Sequence, residues 1–315
     1  MSDARIFQQS TEVAVTEQIT DARIFQQSTE VAVTGQIADA RIFQQFIEVA
    51  IETIAASQYS AKVLAVSALS SYMKLTEATG AFADSKDAAV GTASGTVIRQ
   101  QASAVDGLEY GVAFDGGGSG TINFGNIYPF SGNAPFSIIA WVKKTSTVNQ
   151  DYARILTKEN ASNTEGWGFM WDANGSLVFQ RRGAGSVNYV NTAPSLEVGR
   201  FYQVAFTYDG TNMRAYTNAE LSNTTLSTLA MTAQVDAMRI SNPTSPPRAA
   251  IEKLSIYSSA LAQAKIQELF NYNVVPLSRL KTRVGGTFVD KPNKVMIGGV
   301  QVTKPVRPRV NGGFL

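Results

Sequence analysis

The run GWGFMW at 166–171 sets Trp167, Phe169 and Trp171 at alternate positions. In a strand such residues share one face. Aromatic rings on one face either fill a core or offer flat surfaces on which a sugar ring can stack, much as a cation does. Both readings stay open for Trp167 and Trp171, whereas Trp141, which alternates with Ile139, is expected in the core. Arg154, Arg181, Arg182, Tyr189 and Asn191 fall in neighbouring predicted strands or loops and could hydrogen-bond sugar hydroxyls; their alternative is an ordinary solvated surface. Trp167, Trp171, Arg154, Arg181, Tyr189 and Asn191 therefore form the candidate glycan-binding set. Hydrolysis is less well served. A retaining glycosidase needs two carboxyl groups about 5–5.5 Å apart. Glu165 and Asp172 flank the Trp-rich run, but seven residues and a turn separate them.

Composition narrows the chemistry further. The 315 residues include no Cys and no His. This excludes disulfides, Cys- or His-based zinc sites, a Ser-His-Asp triad and any histidine acid or base. Enzyme chemistry would have to rest on carboxylates, Lys, Tyr or oxygen-bound metal. A content of 44% hydrophobic and 17% charged residues suits a folded chain. No run of about 18 apolar residues predicts a membrane-spanning helix. The N-terminus lacks the basic-then-apolar order of a signal peptide, so assembly in a cytoplasm is expected. The net charge of +2 hides an asymmetry: residues 1–60 carry three Arg against eight Asp and Glu, and residues 276–315 carry eight Lys and Arg against Asp290 alone. Between them, 61–275 balances 16 basic against 16 acidic residues. An acidic head and a basic tail on a neutral body predict ends that dock on something.

Both ends are repetitive. DARIFQQSTEVAVT occurs at 3–16 and again at 21–34, and an altered copy, DARIFQQFIEVAIE, begins at Asp39, a period of 18 residues. The alternation and the β-branched content predict one strand of about ten residues per copy, then a turn. In the third copy Phe43, Phe46, Ile47, Ala50, Ile51 and Ile54 would equally line a helix face. Units this short need neighbours to close a core. At the other end KTRVGGTFVD (281–290), NKVMIGGVQVT (293–303) and RPRVNGGFL (307–315) align at a period of 13, each with Gly-Gly or Asn-Gly between apolar flanks. Such pairs predict tight hairpins. The sequence thus divides into docking strands (1–56), a connector (57–67), a body (68–273) and a basic extended arm (274–315). The docking residues are expected to include Arg5, Phe7, Val13, Arg23, Phe25, Val31, Arg41, Phe43 and Val49 at the head. At the tail they include Lys281, Arg283, Lys294, Arg307 and Arg309.

The body reads as many short strands with turns between them, including Asn174-Gly175 and Asp209-Gly210, and a short helix carrying Leu261, Ile266, Leu269 and Phe270 inward. Five blocks, in order, give it a family likeness: SYMKLTEATGAFADSKDAAVGTASG (71–95), VAFDGGGSG (112–120), FSIIAWVKKT (136–145), RFYQVAFTYDGTNMRAYTN (200–218) and IEKLSIYSSALAQAKIQELFN (251–271). They resemble the laminin-G-like, concanavalin A-like jelly-roll family over about two thirds of the chain. The implied fold is all-β: a two-sheet antiparallel jelly-roll sandwich with a short terminal helix, flanked by N-terminal repeated strands and a C-terminal hairpin arm. The terminal repeats in turn resemble segments of structural proteins from tailed-phage particles.

These resemblances carry expectations about function. Glucanases of this fold carry an E-x-D-x-E strand motif, which the chain lacks, so a non-enzymatic protein is expected. The family's early loop often binds calcium; here it reads FADSKDAAVGTASG, where Asp84 and Asp87 are the candidate ligands and Lys86 between them opposes a cation. No other cofactor is implied. DGGGSG at 115–120 lacks the setting of a phosphate loop and reads as a hairpin turn. The basic tail has few interleaved aromatics, so protein docking is expected rather than nucleic acid. The full expectation is a virion structural protein, a tail fibre or capsid decoration, on the virion surface. Its partners would be other virion proteins, sister copies in a homo-oligomer such as a trimer, and host-surface glycans, with no membrane. A free lectin-like module is the alternative, and a glycoside hydrolase a more distant one.

Overall fold

The computed structural model describes residues 59–103, 110–147, 152–192 and 195–272, together with the backbone of six short strands outside them. Four of those strands come first: β1 (Ala4–Arg5), β2 (Glu12–Val15), β3 (Ala22–Arg23) and β4 (Glu30–Val33). Helix α1 is described over 59–64. The body begins with β5 (Leu69–Met73), β6 (Phe82–Ala83), β7 (Val90–Ser94), β8 (Ile98–Ala102), β9 (Tyr110–Asp115) and β10 (Thr121–Asn123). It continues with β11 (Phe136–Lys144), β12 (Arg154–Glu159), β13 (Gly166–Trp171), β14 (Leu177–Gly183) and β15 (Ser186–Asn191). It ends with β16 (Phe201–Tyr208), β17 (Asn212–Thr217), β18 (Glu220–Leu226), β19 (Arg239–Ile240), β20 (Arg248–Tyr257) and helix α2 (Gln263–Asn271). Strands β21 (Thr282–Val284) and β22 (Thr287–Val289) follow.

The body is a jelly-roll sandwich of two antiparallel sheets. Sheet I runs β15-β14-β13-β12-β19-β10-β7-β6, and sheet II runs β18-β17-β16-β11-β20-β9-β8, with β5 also paired to β20. Alternation sends one set of side chains from each sheet into a shared core. Phe136, Ile138, Ala140 and Val142 of β11 meet Trp167, Phe169 and Trp171 of β13 and Leu177 and Phe179 of β14 there. Phe179 stacks on Phe206 across the sheets at 5.2 Å.

Sheet II is buried on its outer face too, and this is why β11 reads as a continuous apolar run rather than an alternating one. Ile139, Trp141, Phe201, Ala205, Ala250 and Tyr257 form a second core with Tyr59 and Val63 of α1 and with Ile266 and Leu269 of α2. Trp141 is buried as expected, but beneath the helices rather than between the sheets. Its Nε1 donates to Tyr59 Oη at 3.2 Å, and its ring stacks on Phe270 at 5.9 Å. Of the apolar residues predicted for the helix, Ile266 and Leu269 are fully buried, while Leu261 and Phe270 pack half-buried at the margin.

The predicted hairpins at Asn174-Gly175 and Asp209-Gly210 form between β13 and β14 and between β16 and β17. Both loops are longer than two residues, because an aspartate organises each one. Asp172 accepts from the N–H of Asn174 and Ser176 at 2.9 and 2.8 Å. Asp209 accepts from the N–H of Thr211 and Asn212 and from the Arg214 guanidinium. DGGGSG does not make the expected hairpin. β9 lies in sheet II and β10 in sheet I, so the segment carries the chain from one sheet to the other. Its glycines serve close approach: a Cβ on Gly120 would lie 2.0 Å from the Thr96 carbonyl oxygen.

In the first two terminal repeats, where one strand of about ten residues is expected, the described residues are short stretches near the start and the end of each copy. The described stretches pair parallel with their counterparts one repeat later: Ala4 with Ala22, Arg5 with Arg23, and Glu12 to Val15 with Glu30 to Val33. An identical repeat meets itself in register only when pairing is parallel and offset by one full period, so the 18-residue spacing selects this arrangement. At the C-terminal end β21 and β22 pair antiparallel around Gly285-Gly286, with Val284 opposite Thr287. Of the expected docking residues, Arg5, Val13, Arg23, Val31 and Arg283 lie on these strands. Phe7, Phe25, Arg41, Phe43, Val49, Lys281, Lys294, Arg307 and Arg309 lie outside the described residues, as does the third repeat.

Candidate functional site

The register of sheet I sorts the candidate residues onto two faces. Trp167, Phe169 and Trp171 lie opposite Arg181, Phe179 and Leu177, all facing inward. Gly166, Gly168 and Met170 lie opposite Arg182, Gln180 and Val178, on the outer face. The next strand adds Val187, Tyr189 and Asn191 to the outer face. On the other side β12 adds Arg154, Thr157 and Glu159, and β19 adds Arg239.

Three of the six candidate glycan residues are therefore misplaced. Trp167 and Trp171 are 1% and 2% exposed and present no ring to solvent. They belong to the inter-sheet core, where Trp167 tilts against Phe136 at 5.9 Å. Arg181 is buried as well. Its guanidinium lies 3.4 Å from the Tyr208 ring centroid and donates to Ser227 Oγ at 2.8 Å and to the Gly132 carbonyl at 3.0 Å. Burial lowers its pKa from the ordinary arginine value, while Tyr208 raises it. The other three, Arg154, Tyr189 and Asn191, share the outer face of sheet I.

The centre of that face is a charged cluster that the residue types alone do not reveal. Glu159 accepts from Arg154 Nε at 2.8 Å and from Thr157 Oγ1 at 3.2 Å, and also from Gln180 Nε2. Arg182 Nε stands 3.2 Å from its second oxygen, and Arg182 Nη2 donates to Gln180 Oε1 at 3.1 Å. The Glu159 side chain is 2% exposed, those of Arg154 and Arg182 12% and 22%. Two arginines thus reach one carboxylate from either side, a charge-assisted arrangement stronger than neutral hydrogen bonds. Beside the cluster the floor is glycine. A Cβ at Gly166 would sit 2.1 Å from the Lys158 carbonyl oxygen and one at Gly168 2.5 Å from that of Leu156, so neither position tolerates a larger residue. At the rim Tyr189 is 60% exposed. Asn191 Oδ1 accepts from Asn223 Nδ2 at 3.0 Å, which ties edge strand β15 to β18.

Lys158 lies behind the cluster, on the inner side opposite Trp167. It is fully buried and donates to Asn126 Oδ1 at 2.5 Å and to the Asp236 carbonyl oxygen. Burial pulls its pKa down to about 8; Asp236 opposes the shift and Arg239 adds to it.

Asp84, a candidate calcium ligand, is a loop staple instead. Its oxygens accept from Ser71 Oγ and from the N–H of Tyr72, Lys86 and Asp87. Asp87 is exposed and accepts from the Ala88 N–H at 2.7 Å. Calcium takes six to eight oxygens, and among the described residues no three acidic groups gather to begin such a shell. The residues present do not fit the ion. Glu165 is similarly engaged, accepting from the N–H of Ala184 and Thr232.

Comparison with known proteins follows this geometry. No curated protein matches the chain. Residues 115–267 match the family model described as the concanavalin A-like lectin/glucanases superfamily. Among solved structures, the binding domain of Paraclostridial Mosquitocidal Protein 1 superposes with a TM-score of 0.53 at 13% identity, over 64% of this chain and 52% of that one. The binding domain of Botulinum Neurotoxin DC, in complex with SialylT, gives 0.51 at 18% identity, over 67% and 52%. Trypanosoma rangeli sialidase in complex with sialic acid gives 0.51 at 14%, over 72% and 38%. The chain spans about half the length of the toxin binding domains it matches. At such identities the likeness is one of fold, a jelly-roll sandwich of two antiparallel sheets, and the family model covers just under half of the chain.

Proposed function

We propose that the chain is a virion structural protein of a tailed phage, anchored through its terminal repeats and displaying a jelly roll that binds host-surface glycans without hydrolysing them. The glycan half rests on one observation: Tyr189 stands 60% exposed on the outer face of sheet I, where the partly exposed Arg154 and Arg182 surround the buried Glu159. Planar donors and acceptors beside an aromatic ring suit sugar hydroxyls and ring faces. The case against hydrolysis is that Glu159 is the single carboxylate on the outer-face positions of β12 to β15, and it is held by two arginines. A retaining mechanism needs a partner carboxyl about 5–5.5 Å away.

The virion half is supported by repeats at both ends, by the acidic head and basic tail, and by the resemblance of those repeats to phage structural segments. In this reading the partners are other virion proteins and sister copies, with a trimer as the expected oligomer, and the protein is assembled in the host cytoplasm and ends on the particle surface. A glycan array with the full chain tests the first half. The expected result is binding that Tyr189→Ala weakens by tenfold or more without unfolding; silence across the array overturns it. Labelling of purified particles with an antibody against residues 68–273 tests the second half, and unlabelled particles overturn it.

A further inference from the structure

Lys158 is a buried amine for which the outer face of sheet I has no use. It lies on the inner side of β12, opposite Trp167, and is fully buried. Its Nζ donates to Asn126 Oδ1 at 2.5 Å and to the Asp236 carbonyl oxygen. Among the described residues no carboxylate forms an ion pair with it. With its pKa held at about 8 by burial and by the nearby Arg239, roughly one such amine in ten is uncharged at pH 7. An uncharged lysine amine is a nucleophile.

The group it touches is held in place. Asn126 follows β10 in a turn where Gly125 takes a φ of +73°. The Gly125 N–H donates to Asn123 Oδ1 at 2.8 Å. The Gly125 carbonyl accepts from the N–H of Met238 at 2.8 Å and of Ile127 at 3.0 Å. Asn126 Cγ lies one carbonyl bond beyond Oδ1, and so within about 4 Å of Nζ, close to the reach of an attacking atom. Asn126 is itself exposed, which gives a leaving group a way out to water.

The pair also spans the weakest seam of sheet I. β19 is two residues long: Ile240 pairs with Leu156 and Ile122, and Arg239 with Thr157 and Asn123. Strands β15 to β12 join β10, β7 and β6 only through it. The chain has no cysteine with which to brace that joint.

We propose that Lys158 and Asn126 close an isopeptide bond across this seam after the chain has folded. Neutral Nζ attacks Asn126 Cγ, a C–N bond forms, and the Cγ–Nδ2 bond breaks. The lysine ammonium and the carboxamide become a secondary amide and an ammonium ion, with no oxidant or reductant. Asp236, the carboxylate whose charge is felt at Lys158, carries the proton from the amine to the departing nitrogen. Once linked, Lys158 no longer titrates, so any pH response that it gives to stability belongs to the chain before closure.

The test is a time course of intact mass on the freshly purified full chain, kept at about pH 8.5, where most of the amine is neutral. The mass is expected to fall by about 17 Da, one ammonia. After digestion the peptides carrying Asn126 and Lys158 should come out joined, with no tryptic cut after Lys158. Asn126→Ala, at an exposed side chain, and Lys158→Met should both keep the full mass, and Asp236→Asn should slow the loss tenfold or more. An unchanged mass in the unaltered chain overturns the bond, whatever the variants do. A loss that persists in Asn126→Ala, or that leaves the two peptides separate, overturns it as well. An unslowed loss in Asp236→Asn overturns the proton carrier and leaves the bond standing.

Discussion

On the outer face of sheet II, Ile139, Trp141, Ala205 and Tyr257 lie under α1 and α2, and Trp141 Nε1 donates to Tyr59 there. On the outer face of sheet I, the corresponding strand positions hold Arg154, Thr157, Glu159, Gln180, Arg182 and Arg239, and among the described residues no helix covers them. The inner faces of both sheets are apolar and meet in one core. The difference is therefore confined to the outsides. One is completed by its own chain, and the other satisfies its charges pairwise and keeps a cation and an aromatic ring over. The glycan-binding face proposed above is the second of the two.

Four measurements would break or sharpen that contrast. The largest effect is expected in the two cores. Trp141→Ala and Trp171→Ala should each cost about 3–5 kcal/mol in denaturant unfolding, as large buried residues do. A stable Trp171→Ala variant that lost only glycan binding would return that residue to the surface. Next, Glu159→Gln leaves Arg154 and Arg182 without their shared carboxylate and should cost about 1–3 kcal/mol; a neutral outcome would mean that the cluster is solvated like any surface. The third effect depends on pH. Lys158 has a folded-state pKa of about 8 against an ordinary 10.5, so between those values the unfolded chain binds more protons and stability rises with pH. The rise from pH 8 to 9.5 should be on the order of 1 kcal/mol and should vanish in Lys158→Met. Measurement should stop there, because burial raises Tyr59 and Tyr128 to about 12, and such tyrosines reverse the slope above about pH 10. The smallest effect on stability belongs to Tyr189→Ala, within about 0.5 kcal/mol for an exposed side chain. That variant is also the one expected to lose most of the binding.

Parity explains which parts of the site were legible in the sequence. Trp167, Phe169 and Trp171 alternate with Gly166, Gly168 and Met170, and a sandwich turns its heavy aromatic set inward. On that rule alone Arg181, in step with Leu177 and Phe179, belongs inside, and Arg182 outside with Gln180. The residue types of Arg181 and the tryptophans suggested sugar chemistry, and the stronger signal of alternation was outweighed. Glu159 and Arg239 carried no local signal, because what makes them matter is pairing between strands distant in sequence. The two-sheet sandwich and its terminal helix were legible, since turn residues and apolar runs mark each strand. The placement of Trp141 beneath the helices was not. An unbroken apolar strand says that both its faces are buried but not by what.

The terminal repeats have a consequence of another kind. Each described strand of the first copy faces the same residues of the second, 18 positions later, in parallel register. Such a stack has no intrinsic stopping number. Duplication or loss of one whole unit restores every pairing, whereas an insertion of any other length would slip the register. The number of stacked repeats ahead of the sandwich can therefore change in whole 18-residue steps, by copying alone, with no new contact to be invented.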